Sequence, residues 1–326
     1  MKKPQSIAIA IPTYNEEKNI KRCLDSLRRQ DFKGKTQIII VDGGSTDKTL
    51  QIAQQYSVVV VHNPQKSAEY GKMLAFKRST SDYFVYLDAD IDLVSNQWIT
   101  KMIRPLIDNA NIVGSFTGYV SYDDDPPLSK YITLDFLQRD PLFIYLTPSL
   151  SDVCIKKTSD YALCRYSKNR MLPAGLCVYR KRDLLTLEII RNRKFMELDI
   201  VASFVKEGKT DFAYVTNAGL HHPLLSTLKN LAWKRKRNLE TMYFNQPDKR
   251  YWTWIEWNNP YHIAKIILWV FLTFTILPST VIGIWKSIRH KTFVGLYELP
   301  FNLITTHTII ITFITHFVRR YRKVRY

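Results

Sequence analysis

The run "YFVYLDADIDLVSN", residues 83–96, decides the fold of this chain. An apolar stretch, Tyr83 to Leu87, leads straight into Asp88, Asp90 and Asp92. Apolar residues in unbroken sequence predict a strand covered on both faces, the kind found in parallel sheets. Ligands of such sheets bind beyond the carboxyl ends of the strands, which is where the aspartates lie. In extended backbone, residues i and i+2 project to the same side with Cα atoms about 6–7 Å apart, so Asp88 and Asp90 can bracket a small polar ligand. Hard cations such as Mg²⁺ or Mn²⁺ prefer carboxylate oxygens and share diphosphate oxygens. The same aspartates also suit a turn and a cap for a helix starting near Asn96. Their company has to choose.

On the amino-terminal side, strand-like and helix-like segments alternate. Residues 6–11, 36–42 and 57–62 read as apolar strands. Residues 16–30 carry Ile20, Cys23, Leu24 and Leu27 at helical spacing. Residues 45–56 open on Ser45 with Asp47 close behind, a helix-start signal, and 68–79 are helical in composition. This alternation predicts an α/β fold, a mostly parallel sheet with helices on both faces. Polar loops follow three of its strands: Pro12–Glu16, Asp42–Asp47 and Asp88–Asp92.

Further along, 174–190 read as a strand leading into a helix, 195–208 as a helix stopped by Gly208, and 210–215 as a strand. The tail differs. Residues 229–326 hold 16 Lys and Arg against 4 Asp and Glu, which accounts for +12 of the net charge of +18. Residues 228–244 mix basic side chains with Leu, Trp and Phe, as an interfacial helix does. Residues 251–257 hold three Trp, an aromatic belt. Residues 263–285 carry one charge, Lys265, and are long enough to span a bilayer; 299–318 form a second candidate. Basic residues at 234–237 and 319–325 place both flanks on the cytosolic side. A basic tail also fits nucleic acid, but the excess sits among apolar segments and no nucleic-acid motif accompanies it, so none is expected as a partner.

Cys23, Cys154, Cys164 and Cys177 show no C-x-x-C spacing, which suggests reduced, mostly buried thiols of a cytosolic compartment. The apolar run Ile7–Ile11 ends at Pro12 and is too short for a signal sequence, so a first strand is expected there.

"IPTYNEEKNI", "VDGGSTDKT" and "YLDAD" occur in that order, each after an expected strand. With these motifs the chain resembles the family-2 glycosyltransferases of GT-A fold over about residues 6–240, and the tail is similar to that of membrane-bound members. The resemblance implies a nucleotide-sugar donor, UDP- or GDP-linked, and a Mg²⁺ or Mn²⁺ ion. It implies that Pro12, Tyr14 and Glu16 contact the nucleotide, that Asp42 reads the base edge, that Asp88 and Lys72 lie near the donor sugar, and that Asp90 binds the metal. Asp47 and Asp92 are expected to cap. In "FMELDIV" the family's catalytic acid falls on Glu197 with Asp199 as the second acid, leaving the base open between the two. His222 or His221 in "AGLHHPLL" resembles the histidine that approaches diphosphate or metal. Residues 172–184 resemble the small-residue segment beneath the acceptor. The Gln-x-x-Arg-Trp box of processive synthases is absent, which favours single-sugar transfer.

The expected organisation is a catalytic domain at 1–225, with a nucleotide-binding half at 1–110 and an acceptor half at 111–225. A basic and aromatic interfacial segment would occupy 226–260. A membrane region, with one or two spans, would occupy 261–326. The expected activity is inverting, metal-dependent transfer at the cytosolic membrane surface, to a lipid phosphate or lipid-linked glycan.

Overall fold

The computed structural model describes residues 5–135, 146–168, 170–172, 176–191, 195–223, 225–244 and 255–325. Residues 173–175 of the expected acceptor segment and 251–254 of the Trp-bearing stretch lie outside the described residues. The chain divides into two units, Met1–Val120 with Leu150–His222, and Ser121–Ser149 with Pro223–Tyr326.

The first unit is a ten-stranded sheet with helices. Its strands are β1 (Ser6–Thr13), β2 (Lys35–Asp42), β3 (Val58–His62), β4 (Tyr83–Tyr86), β5 (Asp92–Leu93), β6 (Ile112–Val120), β7 (Cys154–Lys157), β8 (Tyr161–Arg165), β9 (Cys177–Arg180) and β10 (Asp211–His221). The spatial order is β3-β2-β1-β4-β9-β6-β10-β8-β7, with β5 beside β10. The parallel sheet read from the sequence is present in β3-β2-β1-β4. Helices α1 (Ile20–Arg28), α2 (Thr49–Ala53) and α3 (Ala68–Arg78) connect these strands, as parallel pairing requires. Beyond β4 the sheet is mixed. β9 runs antiparallel to both neighbours, β6 and β10 are parallel, and β7 and β8 form an antiparallel pair. The short 158–160 connection leaves no room for a crossover helix between the last two.

Helix α1 buries Ile20, Cys23, Leu24 and Leu27, its one apolar stripe. Helix α4 (Trp98–Asp108) does the same with Trp98, Ile99, Met102, Ile103 and Leu106. Full burial of each such side chain is worth about 1.5–3 kcal/mol. Phe84 of β4 packs against Phe76 of α3 at 5.2 Å and Phe195 at 5.3 Å between ring centroids. None of the four cysteines forms a disulfide, and three are buried.

Two helix starts differ from the sequence reading. Helix α2 begins at Thr49, not Ser45, because the Ser45 hydroxyl is committed to Asp42 at 2.5 Å. Asp47 does cap it, accepting the Thr49 N–H at 3.0 Å. Asp92 does not cap α4. It lies on β5, and Ser95 Oγ accepts the Gln97 N–H just before that helix.

In the second unit, helix Pro127–Leu134 contributes Leu128, Tyr131 and Ile132 to a core completed by Leu231 and Phe301. Residues 121–149, expected in the acceptor half, therefore group with the carboxyl-terminal helices, because that is where their apolar face is covered. A second cluster is polar. Buried Glu298 accepts hydrogen bonds from Tyr131 Oη and Lys286 Nζ, both at 2.7 Å, and from Asn302 Nδ2 at 2.9 Å.

The expected span 263–285 is not one helix. Helices Pro260–Phe274 and Leu277–His290 meet at a bend of 76°. The break is a γ-turn: Ile276 takes a φ of 64°, and the Leu277 N–H donates to the Thr275 carbonyl at 2.6 Å. Pro278 fits the start of the second helix, in the first turn, where its missing N–H costs no intrahelical bond. The second candidate, 299–318, lies within one unbroken helix, Glu298–Arg325. The stretch Phe293–Arg319 is long and apolar enough to cross a membrane.

Candidate active site

The three polar loops gather at one end of the parallel strands. Thr13 ends β1 beside Asp42, which ends β2. Asp42 is 3% exposed, and both its oxygens are occupied. Oδ1 accepts from Thr13 Oγ1 at 2.9 Å and Ser45 Oγ at 2.5 Å; Oδ2 accepts from the N–H groups of Gly44 and Ser45 at 2.9 and 2.8 Å. Burial pushes its pKa up, but these bonds outweigh that and hold the carboxyl below its usual value. Asn15, at a φ of 56°, ties the first loop to the second by accepting the Thr46 N–H at 2.8 Å. Tyr14 is exposed, and Pro12 and Glu16 are half-buried. Burial raises the Glu16 carboxyl, against a hydrogen bond from Asn19, and the carboxylates of Asp90 and Asp88 raise it further.

Asp88 and Asp90 do not lie in extended backbone. β4 ends at Tyr86, and they sit on a turn closed by the Ile91 N–H donating to the Asp88 carbonyl at 3.0 Å. The turn brings their carboxylates to the His222 imidazole. Each of the three offers a ligand atom, and these atoms lie within 4.8 Å of one another. Asp90 Oδ2 is 3.2 Å from His222 Nε2, and the ring packs edge-on to Tyr119. Two carboxylates and an imidazole are a donor set suited to Mn²⁺ or Mg²⁺. Burial raises the Asp88 pKa, opposed by Lys72 and His222.

Contacts behind the carboxylates hold this turn. The His221 Nδ1 atom is 2.8 Å from Asp92 Oδ1, across the β5–β10 pairing. Arg22 reaches from α1 with Nε 2.9 Å from the same oxygen, and its Nη2 donates to the Asp90 carbonyl at 2.9 Å. His221 thus belongs to the scaffold, while His222 points at the carboxylates.

Lys72, on α3, is 7% exposed and donates to Glu197 Oε1 at 2.8 Å. Its Nζ lies 4.0 Å above the Tyr86 ring centroid. Burial lowers the Lys72 pKa, but Glu197 and Asp88 outweigh it and hold the ammonium above its usual value. Glu197 opens helix Glu197–Lys206, and its side chain is 25% exposed. Asp199 is 3% exposed, on a different face of the same helix.

A comparison of the sequence with protein-family models matches residues 8–184, just over half of the chain, to glycosyl transferase family 2. The chain belongs to that family. Among curated relatives of this family-2 chain is the glycosyltransferase AglE of Haloferax volcanii, 28% identical over 107 residues, which are 31% of the chain and 35% of AglE. Another, from Methanococcus voltae, is named dolichyl N-acetyl-alpha-D-glucosaminyl phosphate 3-beta-D-2,3-diacetamido-2,3-dideoxy-beta-D-glucuronosyltransferase. It is 34% identical over 26% of the chain and 28% of its own length. The chain thus matches about a third or less of the length of these relatives. Among solved structures, the mannosyltransferase PcManGT of Pyrobaculum calidifontis aligns with a TM-score of 0.49 at 13% identity, over 93% of the chain and 87% of its own.

The family-2 motifs account for most of this site; Arg22 and Tyr86 were not read from the sequence as part of it, Asp92 was read as a cap, and His221 as the alternative to His222. Asp92 and His221 adjoin site residues, a usable signal. Arg22 and Tyr86 carry no local signal, because only packing of α1 and β4 brings them there.

Proposed function

We propose that the protein is an inverting, metal-dependent glycosyltransferase. It moves a single sugar from a UDP- or GDP-sugar to an acceptor at the cytosolic face of a membrane. The observation that carries this reading is the convergence of Asp88, Asp90 and His222 beside the loops of the parallel strands. Asp90 and His222 would hold the ion, and Asp88 would lie between it and the donor sugar. A bound Mg²⁺ or Mn²⁺ supplies positive charge against the diphosphate leaving group.

Pro12, Tyr14 and Glu16 form the nucleotide contact. Asp42, with four donors from the protein already on it, acts by fixing the two loops that receive the base. Glu197 is the base: it takes the proton of the acceptor hydroxyl as that oxygen attacks the anomeric carbon and the nucleoside diphosphate departs. Two facts favour it over Asp199, its partial exposure and its contact with Lys72. Lys72 aims Glu197 through their ion pair at 2.8 Å. The acceptor is a lipid phosphate or a lipid-linked glycan. The apolar helix, the basic tail and the dolichyl phosphate in the name of the M. voltae relative support this choice. The basic helix Leu228–Leu239 would meet anionic headgroups.

Asp90→Ala should abolish Mn²⁺-dependent hydrolysis of nucleotide-sugars and transfer to polyprenyl phosphates, by at least about 10³-fold, the scale of several kcal/mol that a metal supplies. Circular dichroism should be unchanged. Turnover near the normal rate in that variant would remove the metal reading.

A further inference from the structure

Two of the four thiols face one another. β7 and β8 pair antiparallel, and the register sets Cys154 opposite Cys164. Residues directly opposite in such a pair share a face of the sheet, with Cα atoms about 4.5–5.5 Å apart. A disulfide needs Cα atoms roughly 4.4–6.8 Å apart. The backbone therefore already holds the two cysteines at bridging distance. The side chains agree with it. Cys154 Sγ donates to the Lys156 carbonyl and Cys164 Sγ to the Ala162 carbonyl, both at 3.7 Å. Lys156 and Ala162 lie on the turn side of their cysteines, so both sulfurs lean toward the same end of the hairpin. The register shifts between Cys154 and Lys156, a local disruption of the ladder that lets the strand adjust at the bridge.

The other two cysteines are placed differently. Cys23 lies on α1. Cys177 lies on β9, and β6 and β10 separate that strand from β8. Both are buried.

The facing thiols differ in access. Cys154 is half-buried, and the exposed Lys156 and Lys157 follow it. Cys164 is 0% exposed. Burial pushes its thiol up to about 12, and the neighbouring Cys154 adds to that. The thiolate is the reactive form, so a reagent from water meets Cys154 first. The two lysines favour an anionic reagent, such as a small disulfide that carries carboxylates.

The geometry points to a redox site on the end strand of this sheet: Cys154 and Cys164 close an intrachain disulfide when a small anionic disulfide of the glutathione type oxidises them. First, the Cys154 thiolate attacks one sulfur of the oxidant. A new S–S bond forms to Cys154, the oxidant's own S–S bond breaks, and one glutathione leaves and takes up the proton that Cys154 released. Next, Cys164 loses its proton and attacks the Cys154 sulfur. The mixed disulfide breaks, and the second glutathione leaves with that proton. Two protein thiols are oxidised and one disulfide is reduced to two thiols. The buried Cys164 makes the second step the slow one, and its fixed place opposite Cys154 offsets this by making the attack intramolecular. The bridge closes the hairpin into a ring. It fixes β7, which among the described strands pairs with β8 alone.

Oxidation of the full-length chain tests it. The purified protein in detergent is treated with glutathione disulfide, alkylated under denaturing conditions and digested with trypsin. Two of the four thiols should be lost, with the chain still at monomer mass on a non-reducing gel. Mass spectrometry should find the peptide ending at Lys156 joined to residues 158–165, and Cys23 and Cys177 alkylated. Cys164→Ala should stop at a glutathione adduct on Cys154, and Cys154→Ser should leave Cys164 unmodified. The bridged wild type should melt at a higher temperature than the reduced protein, a rise that dithiothreitol reverses and Cys154→Ser lacks. If Cys164→Ala does not fold, the linked peptide from wild type still decides. Thiols that stay free, an adduct that persists on Cys154 of wild type, or a bridge to Cys23 or Cys177 overturns the proposal. A linked peptide with no rise in the melting temperature overturns the claim that the bridge fixes β7.

Discussion

The site rests on a few residues whose positions are fixed by partners outside the reacting groups. Asp92 is the clearest. It touches His221 and Arg22, and Arg22 in turn holds the backbone of Asp90. Outer-sphere partners of metal ligands typically contribute 10–100-fold in affinity. Asp92→Asn or His221→Gln should therefore weaken Mn²⁺ binding, read by calorimetry in the presence of UDP or GDP, by about 10–100-fold. Unchanged affinity would restrict the trio to folding. Asp42 gives a pH prediction. Its carboxyl is held below the usual value in the folded protein, so the stability it contributes is fully present above the unfolded pKa of about 3.9 and is lost as pH falls through the lowered folded value. In urea unfolding of wild type and Asp42→Asn, the stability gap should be widest near pH 6 and close as the pH drops below about 4. A gap that widens on acidification contradicts the assignment.

At the scale of elements, apolar spacing gave the parallel strands to within about two residues, while α1, read over 16–30, runs only from Ile20 to Arg28. It failed where local chemistry competed with pattern. Residues 263–285 look like one helix by composition, yet a γ-turn divides them. A positive φ at a β-branched residue is strained by about 1–3 kcal/mol. Ile276→Gly should relieve part of this and raise the thermal midpoint in detergent. An unchanged or lower midpoint would show that the Ile276 side chain offsets its own strain by packing. The Asp88–Asp90 pair teaches the same lesson in reverse. The expectation that the carboxylates share a side is met by a tight turn and not by strand alternation.

For the whole molecule, the division into units follows apolar contact and not chain order. Helix Pro127–Leu134 is covered by Leu231 and Phe301, which come about a hundred and more residues later. A chain ended at residue 222 would expose Leu128, Tyr131 and Ile132, each worth about 1.5–3 kcal/mol when buried. In the same detergent, such a truncation should aggregate on size-exclusion chromatography where the full chain does not. A monodisperse, stable 1–222 fragment would show that the strands fold without that cover. The sequence by itself determined the alternation of strands and helices, the order of the three ligand loops and the placement of basic residues in the tail. These are local properties, written in apolar spacing and short motifs. Only the tertiary structure decided that Arg22, Asp92 and His221 brace the carboxylate turn, that Lys72 faces Glu197, that Asp42 is saturated, and that residues 121–149 join the carboxyl-terminal helices. Each of these depends on which residues far apart in the chain are packed together, and no local periodicity records that.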